Sequence, residues 1–91
     1  MRLSFPNNSR SYDEDRNSVC FWGYDSTIEI SFFMEAAALL QLCPEMENAE
    51  PGILKAFDAV LERIHKVADK VYVNGGKGKG TYAYSLAADD F

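Results

Sequence analysis

The sequence is short of the residues from which active sites are usually assembled. It has one histidine, His65, and two cysteines, Cys20 and Cys43. A single imidazole restricts any acid–base scheme to one ring. Two distant cysteines fit neither a zinc-ligand spacing nor a disulfide framework, so both read as small apolar residues that stay thiols in a reducing compartment. No metal site and no cofactor is expected. Long apolar runs are also missing: no stretch approaches the roughly 18 residues that a membrane span requires. The opening MRLSFPNNSR lacks the apolar core of a secretory leader, so a cytoplasmic, non-membrane protein is expected. Basic residues are the minority, 9 against 14 acids for a net charge of -5, which disfavours binding of nucleic acid through its phosphates.

What is present suits an ordinary folded domain. A chain of 91 residues has room for one core, so residues 1–91 form a single domain. With 47% hydrophobic and 13% aromatic residues it is too apolar for a disordered chain. Charge is segregated along it. Residues 25–50 carry six acids and no base, whereas residues 51–80 carry six bases and three acids.

Periodicity then assigns the elements. Arg2 to Phe5 reads as a short edge strand stopped by Pro6, and the following Asn-Asn-Ser-Arg-Ser as a loop. Ser18 to Phe33 is rich in β-branched and aromatic residues and is interrupted by turn formers at Gly23 to Ser26, the pattern of a hairpin. Its second arm alternates, with Ile28, Ile30 and Phe32 on one face and Thr27, Glu29 and Ser31 on the other. Met34 to Cys43 reads as a short helix with Ser31 available upstream as a cap, ended by Pro44. Pro51 opens a long amphipathic helix whose apolar stripe runs from Ile53 to Val71, about five to six turns. Asn74-Gly75-Gly76 ends it. Tyr82, Tyr84, Leu86 and Ala88 alternate as a last strand. The expected fold is α+β: an antiparallel sheet of about four strands, in the chain order β-ββ-α-α-β, packed on one face by the long helix and a shorter one.

Three features invite a chemical reading. The GGKGKG run at Gly75 to Gly80 lacks the Lys-Ser/Thr ending of a phosphate loop and precedes a strand rather than a helix, so it reads as a connection, with an anion site on Lys77 and Lys79 as the alternative. His65 stands one turn from Asp69, which would orient a catalytic ring. The preferred reading is a boundary histidine near a helix C-terminus, with the oriented ring as the alternative. Trp22, Tyr24, Tyr82 and Tyr84, with Tyr12 and Phe21, offer either cross-strand packing or a stacking platform rimmed by Arg10, Arg16, Lys77 and Lys79. No nucleophile and base stand together, so the chain does not read as an enzyme and no catalytic residue is assigned.

Several stretches carry a resemblance: FPNNSRSYD at Phe5–Asp13, VCFWGYD at Val19–Asp25, EISFF at Glu29–Phe33, AFDAVLERIHKVADKVY at Ala56–Tyr72 and the final TYAYSLAADDF. Together they resemble the bacterial proteins grouped as domain of unknown function family 1488. The resemblance implies a small α+β bacterial protein, and it brings no activity, cofactor or catalytic residue with it. The functional expectation therefore rests on the residues: a binding or regulatory domain that meets a protein partner or a second copy of itself, with weak single-strand nucleic-acid or anion binding as the alternative.

Overall fold

Alternation between Ser18 and Phe33 becomes a long hairpin in the structure, a computed structural model that describes residues 2–6, 8–75 and 83–91. Strand β2 (Ser18–Asp25) pairs antiparallel with β3 (Ile28–Glu35), Cys20 opposite Phe33 and Trp22 opposite Ser31. Ser26 turns the chain with φ 57°. Gly23 lies inside β2 rather than in that turn. A Cβ there would come within 2.7 Å of the Phe5 ring, so glycine makes room for the N-terminal segment to lie against the strand.

The expected N-terminal strand is reduced to one bridge, Ser4 to Tyr24, while the stretch expected as a loop contains strand β1 (Arg10–Asp13), antiparallel to β2. Of its residues RSYD only Tyr12 favours a strand. Pairing holds them in place, helped by Tyr12 donating to Asn17 Oδ1 at 2.6 Å and by a bidentate ion pair from Arg10 to Asp58. Such tertiary contacts override local preference.

Strand β3 extends to Glu35 because Met34 pairs opposite Val19 and is fully buried. Helix α1 (Ala36–Leu42) therefore starts two residues later than the sequence suggests, with Glu35 at its N-cap position in place of Ser31. The long helix is also divided. Helix α2 (Glu50–Ala59) ends at Val60, whose φ of -116° and ψ of 21° leave the helical region, and α3 (Leu61–Val73) starts anew. The Val60 N–H is shared between the Ala56 and Phe57 carbonyls. On either side of this kink, Ile53 and Phe57 of α2 and Ile64 and Ala68 of α3 belong to the core. Gly75, at φ 80°, takes the left-handed conformation after α3 as expected.

After the helices cross one face, β4 (Ala83–Leu86) pairs parallel to β3, Phe32 opposite Tyr84. The sheet is thus mixed, in the order β1-β2-β3-β4, where a wholly antiparallel one was expected. Alternation reports which face a side chain takes and not the direction of the strand. A 3-10 turn (Ala88–Asp90) closes the chain.

Buried helix side chains, Ala56 apart, share one core with one face of the sheet. Val19 and Phe21 of β2, Ile30, Phe32 and Met34 of β3, and Tyr84 and Leu86 of β4 form one cluster with Ala36, Leu39, Ile53, Phe57, Ile64 and Ala68. Rings order its centre: Phe21 lies 5.2 Å from Phe32 and 5.3 Å from Phe57.

Candidate functional site

The period of two that sends Phe21 and Phe32 into the core sends their neighbours to the opposite face. There, β2 presents Cys20, Trp22 and Tyr24, β3 presents Glu29, Ser31, Phe33 and Glu35, β1 presents Ser11 and Asp13, and β4 presents Ala83 and Ser85. Trp22, Tyr24, Cys20 and Phe33 are half-buried and stand outside the core cluster. The register sets Phe33 opposite Cys20 and diagonal to Trp22, so their side chains form one apolar centre.

Charge surrounds that centre. The Arg16 guanidinium lies over the Phe33 ring at 4.1 Å from its centroid and 3.7 Å from Asp13 Oδ2, held in place by a cation–π contact and an ion pair. Tyr24 donates its hydroxyl to Glu29 Oε2 at 3.1 Å, and that bond raises the tyrosine's pKa. Burial, and then the nearby Asp13 charge, push the Cys20 thiol up as well, so it is a poor nucleophile. At the α1 end of the face a depression of about 420 Å³ is lined by Arg16, Asn17, Phe33, Glu35, Ala37 and Ser85.

The structure brings together only some of the residues singled out in the sequence. Trp22, Tyr24 and Arg16 share the open face. Tyr84 is on the other side of the sheet, 7% exposed, stacked on Phe32 and edge-on to Tyr72. Arg10 is turned to Asp58 on α2. Lys77, Lys79 and Tyr82 lie outside the described residues. Alternation along β2 already places Cys20 on the face of Trp22, whereas Phe33, which completes the apolar centre, joins them only through the hairpin register.

His65 and Asp69 have separate duties. The imidazole stacks flat on Phe5, with centroids 3.9 Å apart and planes 5° from parallel, and faces Phe21 at 5.9 Å. Asp69 Oδ1 accepts the backbone N–H of Leu3 at 2.7 Å. Among the described residues no hydrogen bond joins the two. Asp25, held by the Tyr72 hydroxyl at 2.6 Å and by Arg2 at 3.2 Å, completes the attachment of the N-terminal segment. Among the described residues no group of three or more His, Cys, Asp or Glu side chains is arranged to hold a metal, and no helix is long and apolar enough to cross a membrane.

The half-buried setting of His65 disfavours its charged form and lowers its pKa from 6.5. The unfolded chain then takes up a proton before the folded one, so this stability is complete above the unfolded value and is lost as pH falls through the folded one. Urea titrations between pH 7 and pH 5 are expected to show stability falling with pH, and a smaller fall in His65→Phe, which keeps the stack on Phe5. Equal slopes in the two proteins would overturn this reading. The corresponding loss from Asp25, whose pKa the Tyr72 hydroxyl lowers, falls in the more acidic window below the unfolded carboxylate value.

The fold has a solved counterpart. A crystal structure of a protein of unknown function from the DUF1488 family of Shewanella loihica PV-4 is similar to it with a TM-score of 0.82 at 15% identity, over 93% of this chain and 91% of that one. No curated protein matches the chain. The family model described as "Protein of unknown function (DUF1488)" matches residues 3–83, and the chain belongs to that family.

Proposed function

We propose that this chain is a non-enzymatic binding or regulatory domain that acts through protein–protein contact, and that the open face of its sheet is the contact surface. One observation carries the reading. A four-stranded sheet buries one face under three helices, while the described helices leave the face centred on Trp22 and Phe33 uncovered. A two-layer domain gains nothing internally from aromatic residues on its outer sheet face beyond their cross-strand pairing, whereas a partner burying them gains about 25 cal/mol per Å² of apolar area. The alternative of single-strand nucleic-acid or anion binding draws less support from this geometry. Tyr84 and Arg10 are engaged elsewhere, and the face carries Asp13, Glu29 and Glu35 beside its Arg16.

Photo-crosslinking tests the contact in the native host. With benzoyl-phenylalanine at position 33 a discrete adduct is expected. The same residue at position 66, exposed on α3, is expected to give none. An adduct at the mass of two chains identifies a second copy, and a heavier or lighter one identifies another protein. Equal labelling from both positions, or none from position 33, would dismiss the face as the contact surface. Sedimentation velocity from micromolar to millimolar concentration separately tests self-association, which a constant monomer excludes.

A further inference from the structure

We propose that the occupant of the open face is a protein segment with an apolar centre flanked by two positive charges, so that the site is a receptor for cationic amphipathic chains. This rests on the proposal that the open face is a contact surface and adds the chemistry of the partner. The observation behind it is the distribution of charge on β3. Glu29 and Glu35 both project from the open face and both are exposed, and Ser31 and half-buried Phe33 lie between them. Among the described residues neither glutamate has a cationic partner within ion-pair distance. The cation nearest the centre, Arg16, is already matched by Asp13 and by the Phe33 ring. The face therefore has an apolar middle and, at each end of one strand, a carboxylate without a cationic partner among the described residues, Glu29 accepting the neutral Tyr24 hydroxyl.

The spacing is informative. Six residues of extended chain at roughly 3.3 Å each put the two carboxylates about 20 Å apart. A helix laid along β3 covers that distance in about 13 residues, with a Lys or Arg at either end and apolar side chains over Trp22 and beside Phe33, whose ring carries the Arg16 guanidinium. The open depression beside Phe33, lined also by Arg16, Asn17, Glu35, Ala37 and Ser85, adjoins that path at the α1 end. A second copy of this chain fits less well. Its own open face would bring two more uncompensated glutamates to the contact, and the chains carry a net charge of -5 each.

A synthetic 16-residue Leu/Lys peptide with lysines at both ends of a leucine stripe serves as the probe, and a Leu/Glu peptide of the same pattern as the comparison. The protein's only tryptophan is on the face, so Trp22 emission reads occupancy directly. The Leu/Lys peptide is expected to shift that emission to the blue with saturation, and to move the amide resonances of Cys20, Trp22 and Phe33. The Leu/Glu peptide is expected to do neither. Glu29→Gln and Glu35→Gln are each expected to weaken binding about two- to five-fold, the ordinary value of an exposed ion pair, and raised salt to weaken it further. Both substitutions are at exposed positions, and unchanged circular dichroism is the check that each variant keeps the fold. Equal binding of both peptides, binding that ignores the two substitutions, or no response at Trp22 would each overturn the cationic assignment. If that happens while position 33 still crosslinks to a partner or to a second copy, the contact surface stands and only its charge preference falls.

Discussion

Phe21→Ala is expected to cost about 3–5 kcal/mol, the range for removing a fully enclosed phenylalanine. Phe21 is 1% exposed and is the ring at which the layers meet. It stacks on Phe32 of β3, tilts against Phe57 of α2 and His65 of α3, and lies 6.3 Å from Phe5 of the N-terminal segment. No single neighbour can collapse into the space, because each is held by a different element. A domain of this size has about 5–15 kcal/mol in total, so the variant is left close to its unfolding limit. Thermal melting reads the result, with about 4–8 °C lost per kcal/mol. Leu40→Ala on the exposed side of α1, where the side chain is 45% accessible, is expected to stay within about 0.5 kcal/mol. Similar losses in the two proteins would contradict the packing described.

The second large effect is expected at a glycine. In an ordinary helix Gly→Ala adds about 1 kcal/mol of stability. Gly52, in the first turn of α2, is expected to do the opposite. A Cβ there would overlap the Glu47 carbonyl oxygen and stand 2.6 Å from the Glu47 Cβ. The Glu47 carbonyl also accepts the Ala49 N–H at 2.9 Å, so it belongs to the tight connection that feeds the helix. A backbone obstacle of this kind has no rotamer to escape into. Overpacking typically costs about 1–3 kcal/mol, which outweighs the propensity gain at all but its lower end. Chemical denaturation of Gly52→Ala is therefore expected to show a net loss, and a gain would mean that the connection yields freely.

Much of this architecture is visible in the residue pattern, and the parts that are not have identifiable reasons. Ile30 and Phe32 declare the buried face of β3 because their alternate neighbours are wet, whereas Ile28, on the same side at the start of the strand, is 46% exposed. The stripe from Ile53 to Val71 declares the helical layer but hides its division, since Val60 sits in register with the stripe and nothing in its side chain marks the departure from helical angles. The polar strand Arg10–Asp13 is invisible to propensity and depends on its pairing with β2 and on Asp58. The candidate face was half legible. Period two alone puts Trp22 and Tyr24 together. Placing Phe33 beside them needs the register of the hairpin, and removing Tyr84 from them needs the order of the strands. Tyr84 could face either way in an isolated alternating segment. Its neighbours Phe32 and Tyr72 decide which.

The parallel pairing of β4 also governs how the molecule assembles. Ser31 meets Ala83 only after more than half the chain has been threaded through three helices, whereas the β2–β3 hairpin closes locally. Closing so large a loop is entropically costly and slow, and a folding rate set by this step follows from the topology. Until β4 docks, β3 presents a bare edge of eight residues with Phe32 and Met34 unprotected beside it. Such an edge is a template for strands of other molecules, and the pairing of β4 along residues 31–34 withdraws the half of it that lies beside Phe32 and Met34.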